Sequence, residues 1–233
     1  MKINELKTIL ENKKISISKE ALDELEDLME STLLTNEKFN LTAIKDRDSF
    51  VEKMILDSIL GLEGINIENK TCIDIGTGAG FPGMVLYILT KNSNITLLDS
   101  TNKKIEYLKE FAAKRQYFLN FVCDRVEVFA QKNREKFDYV FVRAVSSLNI
   151  LLELCMPLLK VGGILVAYKG SDYMNEIRSS SKAFHKLSCS VDNVILSTLP
   201  ESKENRAIIH IKKNKTSSVK YPRDYSEIKK KPL

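Results

Sequence analysis

The sequence predicts an α/β protein built on a mostly parallel, seven-stranded sheet, and three features support this prediction. From residue 66 onward, apolar strand-like segments alternate with helical segments, which is typical of parallel strands joined by helical crossovers. The first strand runs into a glycine-rich turn, CIDIGTGAGFPG at 72–83. Only a few residues separate the last two strand-like segments, which favours an antiparallel hairpin at the end of the sheet.

The first 65 residues contain amphipathic helical segments and no strand signal. Ser18 is a candidate N-cap for a helix through EALDELEDLMESTLL, on which Leu22, Leu25, Met29 and Leu33 share one face. SFVEKMILDSILGL is a second such segment. We therefore expect a helical N-terminal extension (1–65), a cofactor-binding core (66–213) and a C-terminal tail (214–233) that together form one compact domain.

The strands of the core follow its apolar runs, and helices are expected between them, beginning near Phe81, Thr101, Arg125 and Ser147. The predicted strands are KTCIDIG, NITLLDS, FLNFVC, KFDYVFVRAV, GGILVAYKG, VDNVILSTLP and NRAIIHIKK.

The composition, 43% hydrophobic and 29% charged over 233 residues, is typical of a globular protein. No apolar run approaches the roughly 20 residues that span a bilayer, and charges throughout MKINELKTILENKK argue against a signal peptide. We therefore expect a cytoplasmic protein with no membrane partner. The four cysteines, Cys72, Cys123, Cys155 and Cys189, lack metal-ligand spacing, so we expect buried free thiols and no metal site.

The formal charge of +5 is concentrated at the end of the chain. From Lys212 to Leu233, eight basic residues stand against Asp224 and Glu227. Clustered lysines and arginines attract polyanions by releasing counterions, which suggests a nucleic-acid partner. The alternative is a solvated, disordered end.

The glycine-rich turn matches two cofactor patterns. GAGFPG, from Gly78, fits the dinucleotide fingerprint of an NAD-dependent dehydrogenase, whereas DIGTGAG, from Asp74, fits the turn that holds S-adenosylmethionine (SAM). Asp99 ends the second strand, where a carboxylate can accept hydrogen bonds from ribose hydroxyls in either case.

Two residues flanking the glycines favour SAM over NAD. The Asp74 carboxylate would repel a pyrophosphate but attract the sulfonium and ammonium groups of SAM. Pro82 removes one of the N–H groups that a pyrophosphate needs at a helix start. We therefore expect SAM to bind at Asp74, Gly76, Gly78 and Gly80.

The methyl acceptor is constrained by what the sequence lacks. No N-P-P-Y motif follows the fourth strand and no Pro-Cys pair is present, which disfavours adenine-amine and pyrimidine-C5 methylation. The sequence also contains only two histidines. Guanine N7 fits this shortage of bases, because its lone pair is free at neutral pH and its methylation needs mainly alignment. No general base is then expected.

Several segments together resemble the bacterial RsmG family, also called glucose-inhibited division protein B. The resemblance implies a Rossmann-like class I SAM-dependent methyltransferase that acts on guanine N7 in the 530 loop of 16S ribosomal RNA, as a monomer, with the RNA or the small subunit as partner. Methylation of another RNA or of a small molecule is the alternative. The segments are NLTAI at 40–44, LDSI at 56–59, the glycine-rich turn, LLDSTNKKIEYL at 97–108, DRVE at 124–127, VRAV at 142–145, AYKG at 167–170 and the ending YPRDYSEIKKKPL.

The same resemblance implies which residues bind the cofactor. Gly76 and Phe81 would line the SAM site and Asp99 would take the ribose. Val126, through its N–H, and Glu127, through its side chain, would contact the adenine.

At the carboxyl ends of the fourth and fifth strands, Arg143 would lie beside the cofactor and the guanine, and Lys169 would contact an RNA phosphate. A structural salt bridge is the alternative for Arg143. The chain also departs from the family pattern at three positions: Met54 replaces a usual His, and Ser226 and Ile228 replace a usual Gly and Pro.

Overall fold

The computed structural model describes residues 1–13 and 15–233, and within them it contains a seven-stranded sheet in the order β3-β2-β1-β4-β5-β7-β6. Strands β1 to β5 run parallel, while β7 is antiparallel to both β5 and β6. The predicted fold class is confirmed, including the terminal hairpin. The strands are β1 (Cys72–Ile75), β2 (Ile95–Asp99), β3 (Asn120–Cys123), β4 (Phe137–Arg143), β5 (Leu159–Lys169), β6 (Cys189–Thr198) and β7 (Asn205–Lys213).

The helices cover both faces of the sheet, which is why every residue of β1 and β2 is buried. The N-terminal helices, α5 and α6 pack on one face, and α7, α8, α10 and α11 pack on the other. The helices are α1 (Glu5–Glu11), α2 (Lys19–Asn36), α3 (Arg47–Phe50), a π-helical segment (Val51–Leu56), α4 (Asp57–Leu60), α5 (Gly83–Thr90), α6 (Asn102–Lys114), α7 (Val126–Lys132), α8 (Leu148–Cys155), α9 (Tyr173–Ser179), α10 (Ser181–Leu187) and α11 (Tyr225–Lys230).

The N-terminal extension is helical, as the sequence predicts. The Ser18 hydroxyl accepts a hydrogen bond from Ala21 N (3.1 Å) and caps α2, whose Leu22, Leu25 and Met29 are buried. The second amphipathic segment runs from α3 to α4 through the π-helical segment. Such segments are rare and often occur at functional sites.

Two helices between β5 and β6 were not expected from the sequence. In α9 no residue is buried, and α10 buries only Ala183 and Leu187. Such short, polar helices carry too little apolar periodicity to be recognised.

The C-terminal tail is folded against the sheet, so the alternative of a disordered end is wrong. Tyr221, Ile228 and Leu233 are buried in the same apolar cluster as α8. Two of the eight basic residues from Lys212 onward are paired with carboxylates: Lys213 Nζ, at the end of β7, lies 2.9 Å from Glu135 Oε1, and Arg223 Nη2, in the tail, lies 2.6 Å from Glu153 Oε2.

The expectation of four buried thiols holds for Cys72, Cys155 and Cys189 but is wrong for Cys123, which is exposed. Cys123 is the last residue of β3, an edge strand that is only partly covered. None of the helices within 1–13 and 15–233 has the length and apolar character needed to cross a membrane.

Candidate cofactor and acceptor site

The turn between β1 and α5 forms one wall of a cleft at the carboxyl edge of the sheet. Gly76 N and Thr77 N both donate to Leu98 O, at 2.8 and 3.0 Å, and hold the turn against the end of β2. Gly76 has φ 69°, and a Cβ at this position would lie 2.7 Å from Val145 Cγ2. Both the backbone conformation and the lack of space therefore require glycine here.

Asp74 lies buried beneath this turn. Its Oδ2 accepts hydrogen bonds from Thr77 Oγ1 (2.6 Å) and Gly83 N (2.8 Å), so it ties the turn to the start of α5. Burial raises the pKa of Asp74 to about 6, although these hydrogen bonds oppose the shift. The arrangement gives Asp74 a structural role, and the direct cofactor contact expected from the sequence stays a prediction.

Phe81 is also buried under the turn. Its ring packs edge-on against Phe50, with 5.3 Å between centroids, and only 3% of the residue is exposed. Phe81 therefore supports the turn from the side of the N-terminal extension, and its contact with the cofactor stays a prediction.

Asp99, the last residue of β2, is held rigidly at the cleft. Its Oδ2 accepts from Gly78 N (3.0 Å) and its Oδ1 accepts from Thr101 N (2.8 Å). Lys104 Nζ lies 3.8 Å from Oδ2. Each carboxylate oxygen has a second lone pair, so Asp99 can still accept hydrogen bonds from a ligand's hydroxyl groups.

A cavity of about 150 Å³ opens beside Asp99, and both residues predicted to contact the adenine line it. We call it the cofactor cavity. Val126 is the first residue of α7, so its N–H has no acceptor within the helix. Glu127 Oε1 accepts from Arg125 Nε (3.1 Å), while Glu127 Oε2 is buried without a hydrogen-bond partner among the described residues. The lining also includes Ile75, Gly76, Leu98, Ser100, Val145, Leu154 and Tyr225.

These residues fit SAM and do not fit a pyrophosphate. The N–H groups of Gly76, Gly78 and Gly80 all donate within the protein, to Leu98 O, Asp99 Oδ2 and Thr77 O, whereas a bound phosphate would need them free. The unpaired Glu127 oxygen needs a hydrogen-bond donor, such as an adenine amino group. SAM, when bound, supplies a methyl group on a sulfonium. Asp99 would hold its ribose, and Val126 and Glu127 its adenine.

A second cavity, of about 450 Å³, lies on the other side of the β4 end and is lined by Arg143. We call it the acceptor cavity. Arg143 Nη1 donates to Lys53 O (2.7 Å) and lies 3.3 Å from Asp57 Oδ2, while Arg206 Nε donates to Asp57 Oδ1 (3.1 Å). Met54, at the family's usual His position, places its Sδ 3.2 Å from Arg143 Nη2. The salt-bridge alternative for Arg143 is thus observed, with the guanidinium still lining the cavity.

Lys169 differs from its predicted role. Its Nζ donates to Glu176 Oε2 and to Ser146 O, both at 2.7 Å, and its side chain is only 7% exposed. A paired and buried ammonium is a poor RNA-phosphate contact, so the pairing argues against the predicted role. The contacts of Lys169 instead anchor the loop after β4, and its contact with RNA stays a prediction.

This loop, residues 144–146, separates the two cavities. Val145 lines the cofactor cavity, whereas Ala144 and Ser146 line the other one. Ala144 adopts φ 55°, which is uncommon for a residue with a Cβ and is often found at functional sites. The two cavities therefore meet at the end of β4, where a methyl donor and an acceptor would be brought together.

The fold and this paired cleft define a class I SAM-dependent methyltransferase. Solved structures share the fold: TYW2 from M. jannaschii in complex with AdoMet has a TM-score of 0.57 at 12% identity, covering 75% of this chain and 80% of that chain. A methyltransferase from Pyrococcus furiosus has a TM-score of 0.55 at 14% identity, covering 82% of this chain and 98% of that chain.

Sequence comparison identifies the family. A sequence model described as rRNA small subunit methyltransferase G (GidB) matches residues 21–209. The ribosomal RNA small subunit methyltransferase G of Caldicellulosiruptor bescii is 42% identical over 88% of this chain and 89% of its own length. That of Halalkalibacterium halodurans is 37% identical over the full length of both chains. The chain belongs to this family. It is a SAM-dependent methyltransferase, and the dehydrogenase alternative is wrong.

Sequence reasoning overlooked several residues that the structure brings to the cleft. Asp57 and Val145 fall inside the recognised segments LDSI and VRAV, yet no role was assigned to them. Tyr225 likewise falls inside the recognised ending YPRDYSEIKKKPL without an assigned role. Arg206 carries no local signal, because only chain folding brings β7 to the second cavity.

Proposed function

We propose that this enzyme transfers the methyl group of SAM to N7 of a guanine in the 530 loop of 16S ribosomal RNA. Membership of the small-subunit rRNA methyltransferase G family supports a ribosomal RNA acceptor. The choice of N7 is supported by one observation above all: Asp57, the single carboxylate among the described residues that line the acceptor cavity, is engaged by two guanidiniums.

The other titratable groups of that cavity are equally unsuited to remove a proton. Tyr168 donates its hydroxyl to Ser58 O (2.8 Å), and burial raises its pKa well above the usual range. Lys53 is paired with Glu204, and Lys169 is paired with Glu176. An acceptor that must lose a proton would find no free base here, whereas guanine N7 needs none.

Catalysis would then depend on alignment and on charge. Arg143 lines the acceptor cavity and can donate a hydrogen bond to guanine O6, the acceptor adjacent to N7. Asp57 and Lys53 O hold that guanidinium in place. Placing the N7 lone pair in line with the methyl group supplies most of the rate enhancement expected for such a transfer.

RNA would be drawn to the cleft by exposed lysines of the C-terminal segment. Unlike Lys213 and Arg223, these side chains remain in solvent and can meet RNA phosphates. Recognition of N7 inside the cleft requires an unpaired guanine, as found in RNA loops. We further propose that the enzyme acts as a monomer in the cytoplasm. The exposed lysines are Lys212, Lys215, Lys220, Lys229, Lys230 and Lys231.

The test is methyl transfer from labelled SAM to small subunits and to naked 16S RNA, both taken from a strain that lacks the modification. One 7-methylguanosine in the 530 loop, located by reductive cleavage of the RNA, is the expected product. Label at another nucleotide would replace the proposed target with a different one, and absence of label in both substrates would reject the acceptor class.

A further inference from the structure

The last helix of the chain places an aromatic side chain at the cofactor cavity. Tyr225, the first residue of α11, lines this cavity together with Asp99, Val126 and Leu154. The rest of α11 is exposed except for Ile228. The ring of Tyr225 is thus the point at which the C-terminal tail reaches the cofactor site.

Tyr225 is also linked, through Arg125, to Glu127, which is expected to contact the adenine. The Arg125 guanidinium carbon lies 4.9 Å from the centroid of the Tyr225 ring, within the range of a cation–π contact. The same guanidinium donates from Nε to Glu127 Oε1 (3.1 Å), which leaves Glu127 Oε2 as the unpaired acceptor. Ring, guanidinium and carboxylate therefore form one continuous edge of the cavity.

The tail is anchored on both sides of Tyr225. Upstream, Arg223 Nε and Nη2 bind the two oxygens of the fully buried Glu153, at 2.7 and 2.6 Å. Downstream, Ile228 is fully buried and its N–H donates to Asp224 O (3.0 Å). A proline at 228 would lack that N–H, so Ile228 secures the first turn of α11, which carries the ring.

We propose that Tyr225 is a cofactor-binding residue whose ring covers the adenine and closes this side of the SAM site. Four further residues that line the cavity, Ile75, Leu98, Val126 and Leu154, are apolar, and such a lining together with the ring suits a flat aromatic base. Base–aromatic stacking is worth about 1–3 kcal/mol, or roughly 5- to 150-fold in affinity. The proposal rests on the cofactor and is independent of the acceptor proposed above.

Calorimetric binding of S-adenosylhomocysteine tests this without RNA or turnover. Tyr225→Ala should weaken binding by about tenfold or more, and Tyr225→Phe, which keeps the ring, should bind like the parent. Tyr173→Ala is a matched control, because Tyr173 is also half-buried against the same apolar cluster but lines no part of the cofactor cavity. It should leave the affinity unchanged.

Parental affinity in Tyr225→Ala, or equal losses in Tyr225→Ala and Tyr173→Ala, would overturn the proposal. A parent protein that does not bind S-adenosylhomocysteine would overturn it as well. A second measurement needs no variant: S-adenosylhomocysteine should slow amide hydrogen exchange in residues 225–231 of the parent. Unchanged exchange there, with protection at the glycine turn, would show that the ligand binds without the tail.

Discussion

Arg143 Nη1 lies 3.3 Å from Asp57 Oδ2, and this ion pair joins the carboxyl end of β4 to the helical N-terminal extension. Arg206 of β7 binds the other oxygen of the same carboxylate at 3.1 Å. Asp57 thus holds two guanidiniums from different strands at the wall of the acceptor cavity. The N-terminal extension therefore contributes directly to the wall of this cavity.

Replacing this bridging carboxylate should cost both stability and activity. Asp57→Asn leaves the partly buried Arg143 guanidinium without a counter-charge and leaves Arg206 paired with Glu204 alone. The loss should lower the free energy of unfolding by about 3 kcal/mol. Misplacement of Arg143 should lower the methyl-transfer rate by about 10- to 100-fold. Denaturant unfolding and the labelled-SAM assay measure the two effects. Asp23→Asn, on the exposed face of α2, should change neither. Equal behaviour of the two variants would show that the bridge has no energetic role.

Asp99 should matter for the cofactor and not for RNA. Asp99→Ala removes the acceptor that Gly78 N holds at the cavity, and a hydrogen bond to a charged group contributes about 1.5–3 kcal/mol. The affinity for S-adenosylhomocysteine should therefore fall about 10- to 100-fold in calorimetry, while RNA affinity in a filter-binding assay stays near that of the parent. Similar losses for both ligands would argue against the ribose role.

Asp74 should make the protein more stable in mild acid. Its pKa is about 6 in the folded protein against the usual 3.8, so between these values the folded state binds more protons than the unfolded state. The stabilisation that comes from protonating Asp74 in the folded state is fully present below pH 3.8 and is lost as the pH rises through 6. A shift of about two units corresponds to roughly 3 kcal/mol.

The variant Asp74→Asn has no carboxyl group to titrate, so its stability should not depend on pH in this way. In denaturant titrations, its free energy of unfolding should therefore rise relative to that of the parent from pH 4 to pH 7. Asp138→Asn is the opposing control. Burial alone would raise the pKa of Asp138, but hydrogen bonds from Thr71 and Lys160 hold it below the usual range. The parent should therefore lose its advantage over Asp138→Asn as the pH falls. The same trend in both variants would refute the buried-acid interpretation of Asp74.

The exposed lysines of α11 and the residue after it should carry part of the salt dependence of RNA binding. Substituting Lys229, Lys230 and Lys231 with Gln should weaken RNA binding and reduce the slope of log affinity against log salt by about 1 for each lost phosphate contact. Lys169→Gln should leave the slope unchanged, because Glu176 already neutralises this ammonium. A reduced slope for Lys169→Gln would restore the phosphate contact predicted from the sequence.

The sequence was most informative where chemistry is encoded locally. The glycine turn, Asp99 at the end of β2 and the Ser18 cap lie where their neighbours in sequence predict. The partners of Lys169 and Arg143 could not be foreseen in this way. Glu176 lies in a short helix with too little apolar periodicity to be recognised, and Asp57 lies 86 residues before Arg143 in the chain.

By itself, then, the sequence determined the α/β class, the seven strands, the SAM turn and the family, because periodicity and turn chemistry depend on neighbouring residues. Only the tertiary structure decided which charges are free. The sequence suggests that three cations are available to RNA, namely Lys169, Lys213 and Arg223. In the folded protein each of them is paired with a carboxylate from another part of the structure. The same is true of Tyr225, whose place at the cofactor cavity depends on how the C-terminal tail packs against α8. Burial and pairing of charges arise from contacts between distant segments, and these contacts leave no periodic trace in the sequence.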